Sequence, residues 1–189
     1  YVKAGGVLLI AVDGENPRQA ELARIRRELL DALAGAEHDP SVASVKGSVQ
    51  GEIAAIETEM TQFVQTIRES IITLANQSDI PLQGSGDIAF DHPLRTTPFL
   101  FSAWPVVGLQ PIQLFCWEGI MLMVGHLVQL WGPDEAGTRS RETIRTAHEM
   151  GINLLYYAWR RRQLMQLQQG DKQAASISPP DSLIGQVTS

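Results

Sequence analysis

The chain has 189 residues, which is enough for one domain with a sizeable hydrophobic core. Hydrophobic residues make up 44% of it but charged residues only 19%, a low value that favours surface buried in an oligomer or a membrane. The net charge of −6 disfavours duplex nucleic acid as a partner, because proteins that bind it usually present a basic surface.

The N-terminal segment, residues 1–15, predicts a short strand or an extended arm packed on helices. Positions 7–12 form an apolar run rich in β-branched side chains, and the turn dipeptide Asp13-Gly14 follows it. No second strand of comparable quality follows in the sequence, so a sheet within the chain is not expected. Pairing within the chain and pairing with a neighbouring chain both stay open.

Residues 16–76 predict a helical hairpin. Asn16-Pro17 suits the start of a short amphipathic helix, because Asn can cap a helix and Pro fits its first position. The second helix begins at Asp39-Pro40 and reaches about Asn76. Its apolar positions recur at steps of three and four, as in a coiled-coil seam, over roughly 50 Å.

The opposite face of this second helix carries small residues in its first half. Each glycine inside a helix costs about 1 kcal/mol relative to alanine, so its presence calls for a physical reason. One reason is a second helix that approaches closely on that side, and the alternative is a tolerated, partly exposed weak spot. The predicted subunit-interface residues on this face are Gly47, Gly51, Ala54 and Ala55.

Residues 77–111 predict a long loop followed by an apolar segment that prolines interrupt. The sequence Gly84-Ser85-Gly86-Asp87 resembles a phosphate-binding loop only superficially, because it lacks the following Lys-Ser/Thr pair and opens no clear helix. We expect it to form a flexible turn. Pro105 excludes one regular helix through the apolar segment.

The most apolar stretch predicts a central helix that begins after Pro111 and ends near Trp131. Its length just reaches what a bilayer requires, so a protein core and a membrane would both explain it. Glu118 disfavours the membrane, because a carboxylate within the span costs a few kcal/mol unless it is paired. We expect Glu118 to form a buried ion pair with an arginine of the last helix, Arg145 or Arg141.

Residues 112–169 are therefore predicted to form a helical pair, whose second helix ends near Gln169. Residues 170–189 are rich in Ser, Gln, Gly and Pro. This composition is typical of a disordered tail and also suits an arm that docks on another subunit. The apolar anchors of such an arm, and further predicted interface residues, are Leu183, Ile184 and Val187.

Residue types that carry catalysis or bind metals form no recognised pattern in the sequence. The four histidines make neither a zinc signature nor a di-iron pattern, and no nucleophile elbow is present. Glu118 and His126 are an acid–base pair to consider, but they lie two turns apart on the predicted helix. Cys116 is expected to be a small core residue. The sequence thus predicts no catalytic residue, no cofactor and no metal ligand.

These patterns predict a mainly α fold, a single helical domain over residues 1–169 with an extended C-terminal arm. The leading hypothesis is a non-enzymatic structural subunit of a homo-oligomeric assembly, such as a virion shell, a phage connector or a protein filament. Its expected partners are copies of itself and other assembly proteins, and its expected location is a virion or the cytoplasm. The alternatives are a membrane-associated protein anchored by residues 98–131 and an enzyme with a buried Glu118/His126 site.

Overall fold

The computed structural model describes residues 1–12, 17–35, 43–107, 110–133, 137 and 139–175. Within these residues the chain forms four α-helices and two small β-sheets, so the predicted fold class, a mainly α helical bundle, is wrong. In chain order the elements are β1 (Leu8–Val12), α1 (Pro17–Gly35), α2 (Ala43–Gln77), α3 (Pro93–Thr96), β2 (Val106–Val107), β3 (Gln110–Pro111), β4 (Gln113–Trp117), β5 (Ile120–Val124) and α4 (Arg141–Ala175). Two short 3₁₀ helices span Val2–Ala4 and Val128–Trp131.

Helices α1, α2 and α4 lie where the sequence predicts helices. α1 packs against α2, and two ion pairs link them, Arg18 with Glu59 at 2.7 Å and Arg26 with Glu57 at 2.7 Å. Solvent-exposed pairs of this kind contribute little to stability. They nevertheless indicate how the two helices are aligned along their lengths, because each arginine of α1 pairs with a different glutamate of α2.

The predicted central helix is absent, and with it the predicted helical pair over residues 112–169. The apolar stretch forms the hairpin β4-β5 and then the 3₁₀ helix Val128–Trp131. All five residues of β5 are buried, because helices cover both of its faces. Such a strand shows a continuous apolar run instead of the usual alternation, and periodicity cannot tell this run from a buried helix.

No helix in the described part of the chain is both long enough and apolar enough to cross a membrane.

β5 is the central strand of a three-stranded sheet with the order β1-β5-β4. β1 runs parallel to β5, with Leu8 opposite Ile120, and β4 runs antiparallel to it, with Trp117 opposite Ile120. The N-terminal strand therefore pairs within the chain, so the expectation that no sheet forms within the chain is wrong. The small hairpin β2-β3 forms a second sheet.

The sheet separates two hydrophobic clusters, because its side chains alternate between its two faces. On one face Leu114, Met121 and Met123 pack with residues of α4, among them Met150 and Leu154. The other face packs against α2. Its cluster includes Phe115, Leu122, Val124 and Val64. The sheet thus forms the middle layer between α2 and α4.

Two buried polar side chains form hydrogen bonds with α3 and with the segment that follows it. Asn153 of α4 donates to the carbonyl oxygens of Leu94 (3.0 Å) and Phe99 (2.7 Å) and accepts from the N–H of Phe99 (2.9 Å). Arg95 donates to the carbonyl oxygen of Phe101 at 3.3 Å and lies 3.9 Å from the centre of the Trp104 ring. These side chains form hydrogen bonds with backbone groups that have no partner in a helix or strand. The proline-broken segment is therefore attached to the core.

Candidate assembly surface

One face of α4 carries large apolar side chains that the described residues leave substantially exposed. Ile152, Leu155 and Trp159 are 44%, 72% and 56% exposed. Their spacing of three and four residues places them on one side of the helix. Met150 and Leu154, which point towards the sheet, are almost fully buried. α4 is therefore apolar on the face that covers the sheet and again on the face that meets solvent.

An apolar groove of about 380 Å³ lies between this helix and the sheet. Val7 and Leu9 line it on the strand side, and Gly151 and Leu155 line it on the helix side. A Cβ atom at Gly151 would lie 3.1 Å from Nε1 of Trp131, so glycine keeps this part of the groove open. The lining includes residues of β1 and β5 but none of β4. The groove therefore lies towards the β1 side of the sheet.

The edge strand β1 borders the same groove. It pairs with β5, and no other strand in the described part of the chain pairs with its free edge. Proteins usually protect such edges with lysine, proline, a bulge or a charge. β1 has the sequence Leu-Leu-Ile-Ala-Val and none of these features, and its first residue, Leu8, is 45% exposed. We call β1 together with Ile152, Leu155 and Trp159 the β1–α4 surface.

Glu118 lies in the two-residue turn between β4 and β5 and is 87% exposed. Its carboxylate is 3.9 Å from the guanidinium of Arg161, and its carbonyl oxygen accepts a hydrogen bond of 3.0 Å from the hydroxyl of Tyr157. The predicted buried pair with Arg145 is therefore wrong, because Arg145 pairs with Glu149 on its own helix at 3.6 Å. The side chain of Arg161 is only 16% exposed, but the carboxylate meets solvent, so an ion pair of this length is screened and weak.

Glu118 and His126 lie beyond opposite ends of β5. At about 3.3 Å per residue, the strand separates them by roughly 20 Å, so they do not form the acid–base site considered from the sequence. Among the described residues, no group of three His, Cys, Asp or Glu side chains is placed to hold a metal ion.

Cys116 faces α4, where its thiol donates a hydrogen bond of 3.4 Å to the hydroxyl of Tyr157. Burial raises the pKa of the Cys116 thiol. Burial, together with the hydrogen bond from Cys116, also raises the pKa of the Tyr157 hydroxyl. The nucleophilic form of cysteine is the thiolate, and a raised pKa makes it scarcer. This arrangement joins α4 to the end of the hairpin and does not activate the thiol.

The backbone at Glu118 has a φ of 50°, in the left-handed region that disfavours side chains with a Cβ. We expect Glu118→Gly to raise the free energy of unfolding by about 0.5–1 kcal/mol, because glycine adopts this conformation without strain. Urea denaturation measures the change. Glu118→Gln is the control, since it removes the charge but keeps the Cβ, and it should leave stability nearly unchanged. A loss of stability in the glycine variant alone would mean that the side chain holds the turn.

The small residues predicted as an interface on α2 are exposed. A Cβ atom built at Gly47 or Gly51 meets nothing within 4 Å among the described residues, and Ala54 and Ala55 also face solvent. No helix of the described chain approaches this face, so its part in subunit contacts stays a prediction. The other predicted interface residues lie outside the described residues; they are Leu183, Ile184 and Val187.

The β1–α4 surface was not predicted from the sequence. The spacing of Ile152, Leu155 and Trp159 was a visible signal of an apolar face on the last helix. The side of the helix that meets solvent depends on where the sheet lies, and the sheet itself was not predicted.

No protein-family model matches this chain, and no curated protein and no solved structure matches it. What the chain does has therefore to be inferred from its own surfaces and side chains.

Proposed function

We propose that this chain is a non-enzymatic structural subunit that assembles with copies of itself. The exposed apolar face of α4, formed by Ile152, Leu155 and Trp159, carries the proposal. Burying apolar surface contributes about 25 cal/mol per Å², and contiguous exposed patches commonly mark interaction sites. Tryptophan is also among the residues that contribute most binding energy at protein interfaces.

The non-enzymatic part of the proposal is supported by the titratable side chains. Glu118 and His126 lie far apart at opposite ends of β5, and the raised pKa of Cys116 disfavours its nucleophilic form. The type of assembly stays as proposed from the sequence, a virion shell, a phage connector or a protein filament.

The mass of the purified chain in solution tests self-assembly. We expect light scattering after size exclusion to give a multiple of the chain mass of 20.8 kDa. Leu155→Lys places a charge at the centre of the α4 face and should reduce the mass to that of one chain. Ala32→Lys is the matched control, because Ala32 is exposed on α1, away from this face. It should leave the oligomer intact.

A wild-type chain that stays monomeric at roughly 100 μM, where protein pairs of micromolar affinity associate, would overturn the proposed function. Loss of the oligomer in both lysine variants would instead point to a general effect of added charge. The circular dichroism spectra of all three proteins should agree, so that a change in mass reports association.

A further inference from the structure

We infer that two copies of the chain join through β1, whose free edge pairs antiparallel with β1 of the second copy. The two three-stranded sheets then become one sheet of six strands in the order β4-β5-β1-β1-β5-β4. This inference rests on the proposed function of self-assembly, and it names the surface and the symmetry of the contact.

The hydrogen bonds of β1 show which of its backbone groups face the free edge. The N–H of Leu8 donates a hydrogen bond of 2.8 Å to the carbonyl oxygen of the residue just before β5. The carbonyl oxygen of Val12 accepts a hydrogen bond of 3.0 Å from the N–H of the residue just after β5. In a parallel ladder, alternate residues direct both backbone groups to the same neighbour. Leu8, Ile10 and Val12 therefore bond β5, whereas Leu9 and Ala11 direct their N–H and C=O groups away from it.

These outward groups fit a two-fold antiparallel pairing centred on Ile10. In that register Leu9 of one copy lies opposite Ala11 of the other, and each such pair exchanges two N–H···O=C bonds. Two equivalent pairs make about four hydrogen bonds across the axis. Ile10 then lies opposite Ile10 of the other copy at a non-hydrogen-bonded position, where the two Cα atoms are closer together.

Strand pairing alone is too small to hold a stable dimer. A stable interface buries about 800 Å² on each partner, and a five-residue strand is only about 17 Å long. The α4 face supplies further apolar area on the same side of the molecule, since both Leu9 of β1 and Leu155 of α4 line the groove between the two elements. A partner therefore has to cover the strand edge and the helix face together.

A second copy of the chain meets this requirement. A two-fold axis perpendicular to the sheet leaves both α4 helices on the same face of the joined sheet, so each copy can cover the other's groove. The axis also brings like residues together, so a charge near it would face an equal charge. The residues that define the β1–α4 surface are uncharged, and Leu155 and Trp159 supply large side chains for the contact. The exposed His148 also lines the groove, so each copy brings one imidazole to the interface.

Ala11→Pro tests the strand pairing directly. Proline removes the outward N–H of Ala11 and leaves the β1–β5 bonds intact, because those involve the alternate residues. Ala11 is exposed, so its substitution disturbs no core contact. We expect Ala11→Pro to be folded and to have the mass of one chain, 20.8 kDa. Ala11→Thr is the control, since it keeps the N–H and favours strands, and it should remain oligomeric.

Three outcomes separate this inference from the proposed function. A monomeric wild type overturns both. An oligomeric wild type with a folded and still oligomeric Ala11→Pro overturns the β1 pairing and leaves self-assembly standing. If Ala11→Pro does not fold, amide hydrogen exchange of the wild type decides. The N–H groups of Leu9 and Ala11 should then exchange roughly tenfold or more slowly in the oligomer than in the Leu155→Lys monomer, and equal rates would overturn the pairing.

Discussion

Replacing Asn153 with leucine is expected to lower the free energy of unfolding by about 3–5 kcal/mol. Asn153 is fully buried and makes three hydrogen bonds to the backbone, one to Leu94 in α3 and two to Phe99 in the segment after it. Leucine has nearly the same shape but cannot pair these groups. Each unpaired buried polar group costs about 1–3 kcal/mol. Urea denaturation followed by tryptophan fluorescence measures the loss.

The same exchange at an exposed asparagine provides the control. Asn76 lies at the exposed end of α2, and Asn76→Leu should change stability by less than about 0.5 kcal/mol. A loss below about 1 kcal/mol at Asn153 would contradict the prediction. It would mean that the backbone groups at Leu94 and Phe99 find other partners once the amide is gone.

Gly86→Ala is expected to cost about 2–4 kcal/mol, the second large effect. A Cβ atom at this position would lie 2.3 Å from Cε2 of Trp117, whose side chain is buried. The φ of Gly86 is 73°, which adds backbone strain for alanine. The carbonyl oxygen of Gly86 also accepts a hydrogen bond of 2.8 Å from the N–H of Cys116, so the segment cannot move away without breaking that bond.

Gly84→Ala separates the effect of the contact with Trp117 from the effect of backbone strain. Gly84 has a similar φ of 74°, but a Cβ there meets nothing within 4 Å among the described residues. It should therefore show only the backbone strain, about 1 kcal/mol. Thermal unfolding of both variants under one set of conditions gives the difference. Equal losses would show that Trp117 accommodates the extra methyl group.

The helices could be predicted because their signals are local. Proline follows asparagine or aspartate near the starts of α1 and α2, and apolar residues recur at helical spacing through both. The hairpin β4-β5 could not be found in the same way. Its strands are joined by Glu118-Gly119, whereas Asn-Gly and Asp-Gly are the usual signals of a two-residue turn. Pro111 suits the first turn of a helix, but it lies in the short strand β3.

The predicted sites depended on these elements and changed with them. Glu118 was expected in a buried helix, and the strand assignment moves it to an exposed turn beside Arg161. Gly84 and Gly86 were expected to form one flexible turn, but Gly86 contacts a tryptophan from a strand that the sequence did not reveal. Long-range packing decides both positions, and one sequence carries no direct record of it.

The parallel pairing of β1 with β5 also bears on how the chain folds as the ribosome makes it. β1 ends at residue 12 and its partner strand begins at residue 120, so β1 emerges well before β5. At about 5–20 residues per second, β1 stays without its neighbour for on the order of 5–20 s. Contacts between such distant segments also form slowly, because a long loop must close first. During this interval both edges of an apolar strand are open, so nascent chains on neighbouring ribosomes can meet through β1 before either sheet is complete.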